Sequence, residues 1–129
     1  MKTLALIALI LLPYSASADT PMADYQASYD NCLSRTQPIN NAAVYACADS
    51  TSELVKKEIN HLYGKIYERL LKESPEDASK LELTQKSWLT YRKLQCELAG
   101  SYIGSPMFSV CPMYINIQRA QELRELSPE

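Results

Sequence analysis

CELAGSYIGSPMFSVC, residues 96–111, sets two cysteines around a Gly-Ser-Tyr-Ile-Gly-Ser-Pro segment in a chain that has only 3 glycines. Helical patterns flank the segment on both sides, so it reads as the bend of a helical hairpin with the cysteines as its clamp. Cys96 lies before Gly100 and Cys111 after Ser105, each about one to two turns, roughly 6 to 9 Å, from the bend. CLSRTQPINNAAVYAC, residues 32–47, has the same span between its cysteines and a bend at Pro38–Asn41. Antiparallel neighbours bring both pairs within bonding range, which predicts Cys32 joined to Cys47 and Cys96 to Cys111. Each closed loop of about 15 residues stabilises the fold by roughly 3 kcal/mol in the chain-entropy model.

The redox setting follows from the start of the chain. Lys2, the apolar run Leu4 to Leu12, Pro13 and the small residues Ala16-Ser17-Ala18 have the form of a secretory signal peptide cleaved after Ala18. Residues 1–18 are therefore expected to be removed, leaving one domain at 19–129. No cysteine lies at the cleavage site, so no membrane anchor is expected, and the protein is placed in the periplasm or outside the cell. An even count of 4 cysteines in an exported chain points to two disulfides. Zinc is disfavoured, because there is no C-x-x-C spacing and His61 is the only histidine. The formal charge of −2 offers no basic stripe for nucleic acid.

Helical spacing organises the rest. Tyr25, Ser28, Tyr29, Cys32 and Leu33 share one face of a first helix that Pro38 ends. Asn40 or Asn41 caps a second, whose stripe is Val44, Cys47, Ala48, Thr51, Val55, Ile59, Leu62, Ile66 and Leu70. Ser50-Thr51-Ser52-Glu53 has the form of a capping box, yet the stripe keeps its phase across it, so one continuous helix is expected. Ser74-Pro75-Glu76-Asp77 opens a third helix, with proline at its first position and acids on the positive end of the dipole. Leu81, Gln85, Trp88, Arg92, Gln95, Cys96 and Ala99 are placed on its inner side, and Gly100 to Gly104 at its end. After Ser105-Pro106 a fourth helix is expected to turn Phe108, Cys111, Ile115, Gln118, Arg119 and Leu123 inward. The fold class is all-α: a small disulfide-stapled antiparallel bundle of about four helices, two of them long.

This inventory makes an enzyme hard to build. His61 lies one turn from Glu58, a spacing that more often gives a surface pair than an acid-base couple. Glu73, Glu76 and Asp77 cluster at a helix bend, where solvation and the dipole explain them. No G-x-S-x-G elbow occurs. No cofactor or metal is implied. Asn60, Tyr63, Gln85, Trp88, Tyr91 and Arg92 form the richer group, read as a core tryptophan within a polar network in which Arg92 and Gln85 bond to Asn60 or to helix carbonyls.

Ile59-Asn60-His61-Leu62-Tyr63, then Gln85-x-x-Trp88-x-x-Tyr91-Arg92-x-x-x-Cys96, then Cys111 followed by Arg119 and Leu123, resemble the LprI-type lysozyme inhibitor domain. That family has an L-N-x-x-Y element, a Q-x-x-W-x-x-Y-R-x-x-x-C element and a later cysteine before an R-x-x-x-L helix. The resemblance spans Tyr29 to Leu126. Ile59, Lys93 and the Gly-Ser-Tyr-Ile-Gly stretch depart from the usual leucine, acid and Gly-Gly pair. The resemblance implies an exported helical domain with paired cysteines and, from the family's named member, inhibition of lysozyme.

The expected function is therefore a periplasmic protein that inhibits lysozyme or another peptidoglycan hydrolase by occluding its cleft. Tyr102, Ile103, Ser105 and Met107, at the bend held by Cys96 and Cys111, are the candidate contacts, since an ordered loop loses less entropy on binding. The opposing reading is that Ile103 and Met107 cap the apolar end of the bundle. Two other functions compete: an immunity or envelope-maintenance protein that binds another periplasmic partner, such as a toxin amidase, and a small-molecule carrier with a pocket at Tyr63, Trp88 and Tyr91.

Overall fold

The computed structural model describes residues 23–127; the expected signal peptide at 1–18 falls outside them. Four helices follow in order: α1 (Tyr25–Arg35), α2 (Asn41–Glu73), α3 (Pro75–Tyr102) and α4 (Met107–Leu126). Among the described residues there is no strand, and no helix is long and apolar enough to cross a membrane.

Local chemistry sets the helix ends. The Asp24 carboxylate accepts from the Ala27 N–H at 2.9 Å and starts α1. The Asn40 side chain does the same for α2, accepting from the Ala43 N–H at 3.0 Å. Between them the chain turns through Thr36–Ile39, with a cis bond at Gln37–Pro38. Ser74 serves two helices at once: its N–H donates to the Leu70 carbonyl, and its own carbonyl accepts from Asp77 and Ala78. Pro75 sits at the first position of α3, where its missing N–H costs nothing. Glu76 and Asp77 occupy the first turn.

The long helix α2 is the spine, packed on α4, α3 and α1. It passes through Ser50–Glu53 without a break. Thr51 and Ser52 are buried there while Ser50 and Glu53 are exposed, so the stretch straddles the edge of the bundle and does not cap a new helix. Val55, Ile59 and Ile66 of α2 meet Leu81 of α3 and Ala120 and Leu123 of α4 in the main apolar cluster, with Trp88, Tyr25 and Tyr63 packed against it. A second cluster joins Tyr29, Cys47, Ala48, Val110 and Met113. A third, small cluster of Cys96, Ala99 and Cys111 lies under the α3–α4 bend.

Both predicted disulfides are present, Cys32–Cys47 and Cys96–Cys111, with Cα–Cα separations of 5.6 and 5.5 Å. Three placements differ from the sequence reading. Gly100 does not end α3, which continues to Tyr102. Gln95 of α3 is exposed. On α4 the expected Cys111, Arg119 and Leu123 are buried, but Val110, Met113, Asn116 and Ala120 join them, while Phe108 is half exposed and Gln118 turns outward. The first half of α4 is apolar all round, with Met107, Phe108, Val110, Met113, Tyr114, Ile115 and Ile117, so its pattern has no single phase.

Candidate functional site

The end of the α3–α4 hairpin is built from backbone geometry upward. At the last turn of α3 the N–H groups of Ile103 and Gly104 both reach the Ala99 carbonyl, at 2.9 and 3.4 Å. Gly104 then adopts φ +151°, a conformation that side chains rarely take, and the chain reverses. Its carbonyl accepts from Met107, and that of Ser105 from Phe108, which starts α4.

Three contacts hold this turn in place. The Cys96–Cys111 bridge spans the two helices below it. The Tyr45 hydroxyl on α2 donates to the Ser105 carbonyl. The Phe108 ring lies flush on the backbone of Gly100, where an added Cβ would come within 2.3 Å of the ring. Gly100 therefore serves a close approach of two helices, not a chain reversal.

The four candidate contact residues separate on this frame. Tyr102 and Ile103 are 85% and 74% exposed, large apolar side chains standing in solvent on a braced turn. Ser105 is exposed, with its carbonyl engaged by Tyr45. Met107 is half-buried and packs between the second and third apolar clusters, so capping the bundle describes Met107 but not Ile103.

Below the turn lies a polar network, only part of which was foreseen. Arg92 stacks over the Trp88 ring at 4.7 Å and donates to the Asn116 side-chain oxygen at 2.6 Å. The Asn116 amide donates in turn to the Ser52 hydroxyl at 2.6 Å. Arg119 also lies near the tryptophan, 5.9 Å from the ring, and donates to Gln85 at 3.1 Å and Glu122 at 2.9 Å. Among the described residues no buried side-chain nitrogen or oxygen lacks a partner. Burial lowers the pKa of the Arg92 guanidinium, which is held by a neutral amide and an aromatic face.

The partners differ from those expected. Asn60 is exposed and takes no part; it sits one residue, about 100°, from the buried Ile59. Tyr91 is likewise turned out, 56% exposed, one step from the inward Arg92. Tyr63 is half-buried and stacks on Tyr67 at 5.8 Å. The residues that close the network, Ser52 and Asn116, were missed. A lone asparagine on an otherwise apolar face of α4 was the available signal for Asn116.

A cleft of about 500 Å³ opens beside the network, lined by residues that include Ser52, Glu53, Lys56, Arg92, Glu97 and Phe108. None of Tyr63, Trp88 and Tyr91 lines it, so the aromatic pocket expected of a carrier does not form there. The Glu58 carboxylate is occupied in a two-pronged pair with Arg124, at 2.6 and 2.7 Å. It is committed to holding α2 against α4, while His61 is exposed. Burial raises the Glu58 pKa, but the hydrogen bonds from Arg124 and Tyr25 outweigh it and leave the carboxyl below its ordinary value. Burial and the neighbouring Glu58 push Tyr25 up to about 12. No cluster of histidine, cysteine and acidic groups suited to a metal occurs among the described residues.

These features define a small disulfide-clamped helical domain with a braced, exposed apolar tip. The chain matches the family described as "Lysozyme inhibitor LprI" over residues 23–123 and belongs to it. That description names an inhibitory and not a catalytic role. No curated protein and no solved structure matches the chain significantly.

Proposed function

We infer that the protein is exported through the segment at 1–18 and acts in the periplasm by blocking the cleft of a lysozyme-type peptidoglycan hydrolase with the Tyr102–Gly104 tip. The observation that carries this reading is the pairing of exposure with rigidity. Two large apolar side chains stand in water on a turn braced by a disulfide, a tyrosine hydrogen bond and a ring-on-glycine contact. Exposed groups of this size cost solubility, while a fixed turn loses little entropy on binding. Hydrolases of this class hold two carboxyl groups across a sugar-binding cleft. An apolar plug displaces substrate and water from such a cleft without offering a bond to cleave. The net acidity of the chain favours encounter with a basic hydrolase at low salt.

The test is titration of the purified, oxidised protein against lysozymes of several types, at about micromolar concentration and low salt. Inhibition is expected with at least one type, and the double substitution Tyr102→Ala, Ile103→Ala should weaken it about tenfold or more with melting unchanged. Absence of any complex refutes the function. Inhibition that survives the double substitution moves the contact surface away from the tip.

A further inference from the structure

The outer face of α3 carries a second apolar surface that the bundle does not use. Leu83, Tyr91, Leu94, Leu98 and Tyr102 are 65%, 56%, 54%, 56% and 85% exposed. At about 100° per residue they fall on one stripe, whose remaining positions are the small polar residues Thr84, Ser87 and Ser101. The buried side of the same helix, Ala78, Leu81, Cys96 and Ala99, lies roughly opposite. Thus α3 is apolar on two sides, and packing within the chain accounts for one of them.

The stripe is its own complement. Its positions run 83, 87, 91, 94, 98 and 102, a spacing that reads the same from either end. When a second copy of α3 runs antiparallel, Tyr91 meets Leu94 of the other copy, Leu98 meets Ser87, and Tyr102 meets Leu83. Each pairing sets a larger side chain against a smaller one, as knobs and holes require. No charged residue lies in the stripe, so no like charges are brought together. A two-fold axis between positions 92 and 93 generates all these contacts at once, the defining property of an isologous interface.

The area suits a dimer. The five side chains together leave on the order of 600 Å² in solvent, at the top of the range for the largest apolar patch on a monomer. A standard interface buries about 800 Å² per partner, and the flanking Ser87, Thr90 and Gln95, all exposed, make up the difference. We propose that the protein self-associates as a two-fold dimer through antiparallel pairing of the α3 stripe, centred on Tyr91 and Leu94. The two Tyr102–Gly104 tips then lie at opposite ends of the paired helices, with Tyr102 at the edge of the interface and Ile103 beyond it. The dimer does not depend on the identity of the inhibited enzyme.

Sedimentation equilibrium of the oxidised protein, from about 1 to 200 µM, reads the association directly. The wild type should dimerise within that range. The substitutions Leu94→Glu and Leu98→Glu together should weaken dimerisation about 100-fold or more, with circular dichroism unchanged because both positions are more than half exposed. The control Leu54→Glu, at an exposed site on α2, should leave it intact. A wild type that remains monomeric throughout, or a dimer indifferent to the α3 substitutions, overturns the proposal.

Register is tested separately, without adding charge. Chains carrying Ser87→Cys mixed with chains carrying Leu98→Cys should form the mixed disulfide about tenfold more readily than either chain links to itself. Equal linking overturns the antiparallel register even where a dimer exists. A monomer whose stripe becomes protected only when a lysozyme is added assigns the surface to that enzyme, and the second copy is then wrong.

Discussion

Gly100→Ala tests the bracing of the tip, because two effects of similar size oppose each other at that residue. Position 100 lies inside α3, where alanine is favoured over glycine by about 0.8–1.0 kcal/mol. The new methyl, however, falls 2.3–2.5 Å from three atoms of the Phe108 ring, a separation no packing tolerates. The ring is 50% exposed and has solvent to swing into, so it leaves its seat and α3 stays where it is. Full burial of a phenylalanine stabilises by about 1.5–3 kcal/mol, so surrendering the half that is buried costs about 0.8–1.5 kcal/mol. Gly100→Ala alone is therefore expected to change stability by less than about 0.7 kcal/mol. In a Phe108→Ala background nothing blocks the methyl, and the same substitution should stabilise by the full ~1 kcal/mol. The resulting coupling of about 0.8–1.5 kcal/mol is read from urea denaturation of the four oxidised proteins as a double-mutant cycle. A single substitution that stabilises by the full propensity gain, with no coupling, would show that the ring does not rest on Gly100.

The buried network makes a sharper demand on stability. Asn116→Leu keeps the volume but removes the acceptor of Arg92 and the donor to Ser52; it should destabilise by about 2–4 kcal/mol in urea denaturation, and a cost below about 1 kcal/mol would show that water or another group replaces the amide. For the pair between Glu58 and Arg124, the folded carboxyl lies below its ordinary value of 4.5. Its stabilisation is thus fully present above pH 4.5 and is lost as pH falls through the folded value. The stability gap between wild type and Glu58→Gln, followed by urea midpoints from about pH 6 to 3, should close in acid. A gap that widens there contradicts the assigned sign.

Much of the architecture could be read from local chemistry acting over a few residues. Pro38, the Ser74-Pro75 junction and the equal cysteine spans each fix a boundary or a clamp through constraints that distant parts of the chain do not alter. The rotation of α4 could not be read this way, because a helix apolar on every side can bury several different faces. Its orientation is chosen by partners far along the chain. Asn116 points inward because Arg92 and Ser52, 24 and 64 residues away, satisfy its amide. Asn60 had no such partner and faces water, although the two residues have the same chemistry.

The candidate tip shows the same division. Cys96 and Cys111 announced a held bend, but apolar residues at a bend can turn either way. The space between two apolar clusters takes Met107 and leaves Ile103 outside. Tyr102 ends both the exposed tip and the outer stripe of α3, so contact with an enzyme and contact with a second copy share a boundary there. If Tyr102 serves the enzyme, the dimer must depend chiefly on Tyr91, Leu94 and Leu98. Tyr102→Ala should then weaken inhibition far more than self-association, and the reverse order would reassign the residue to the interface between copies.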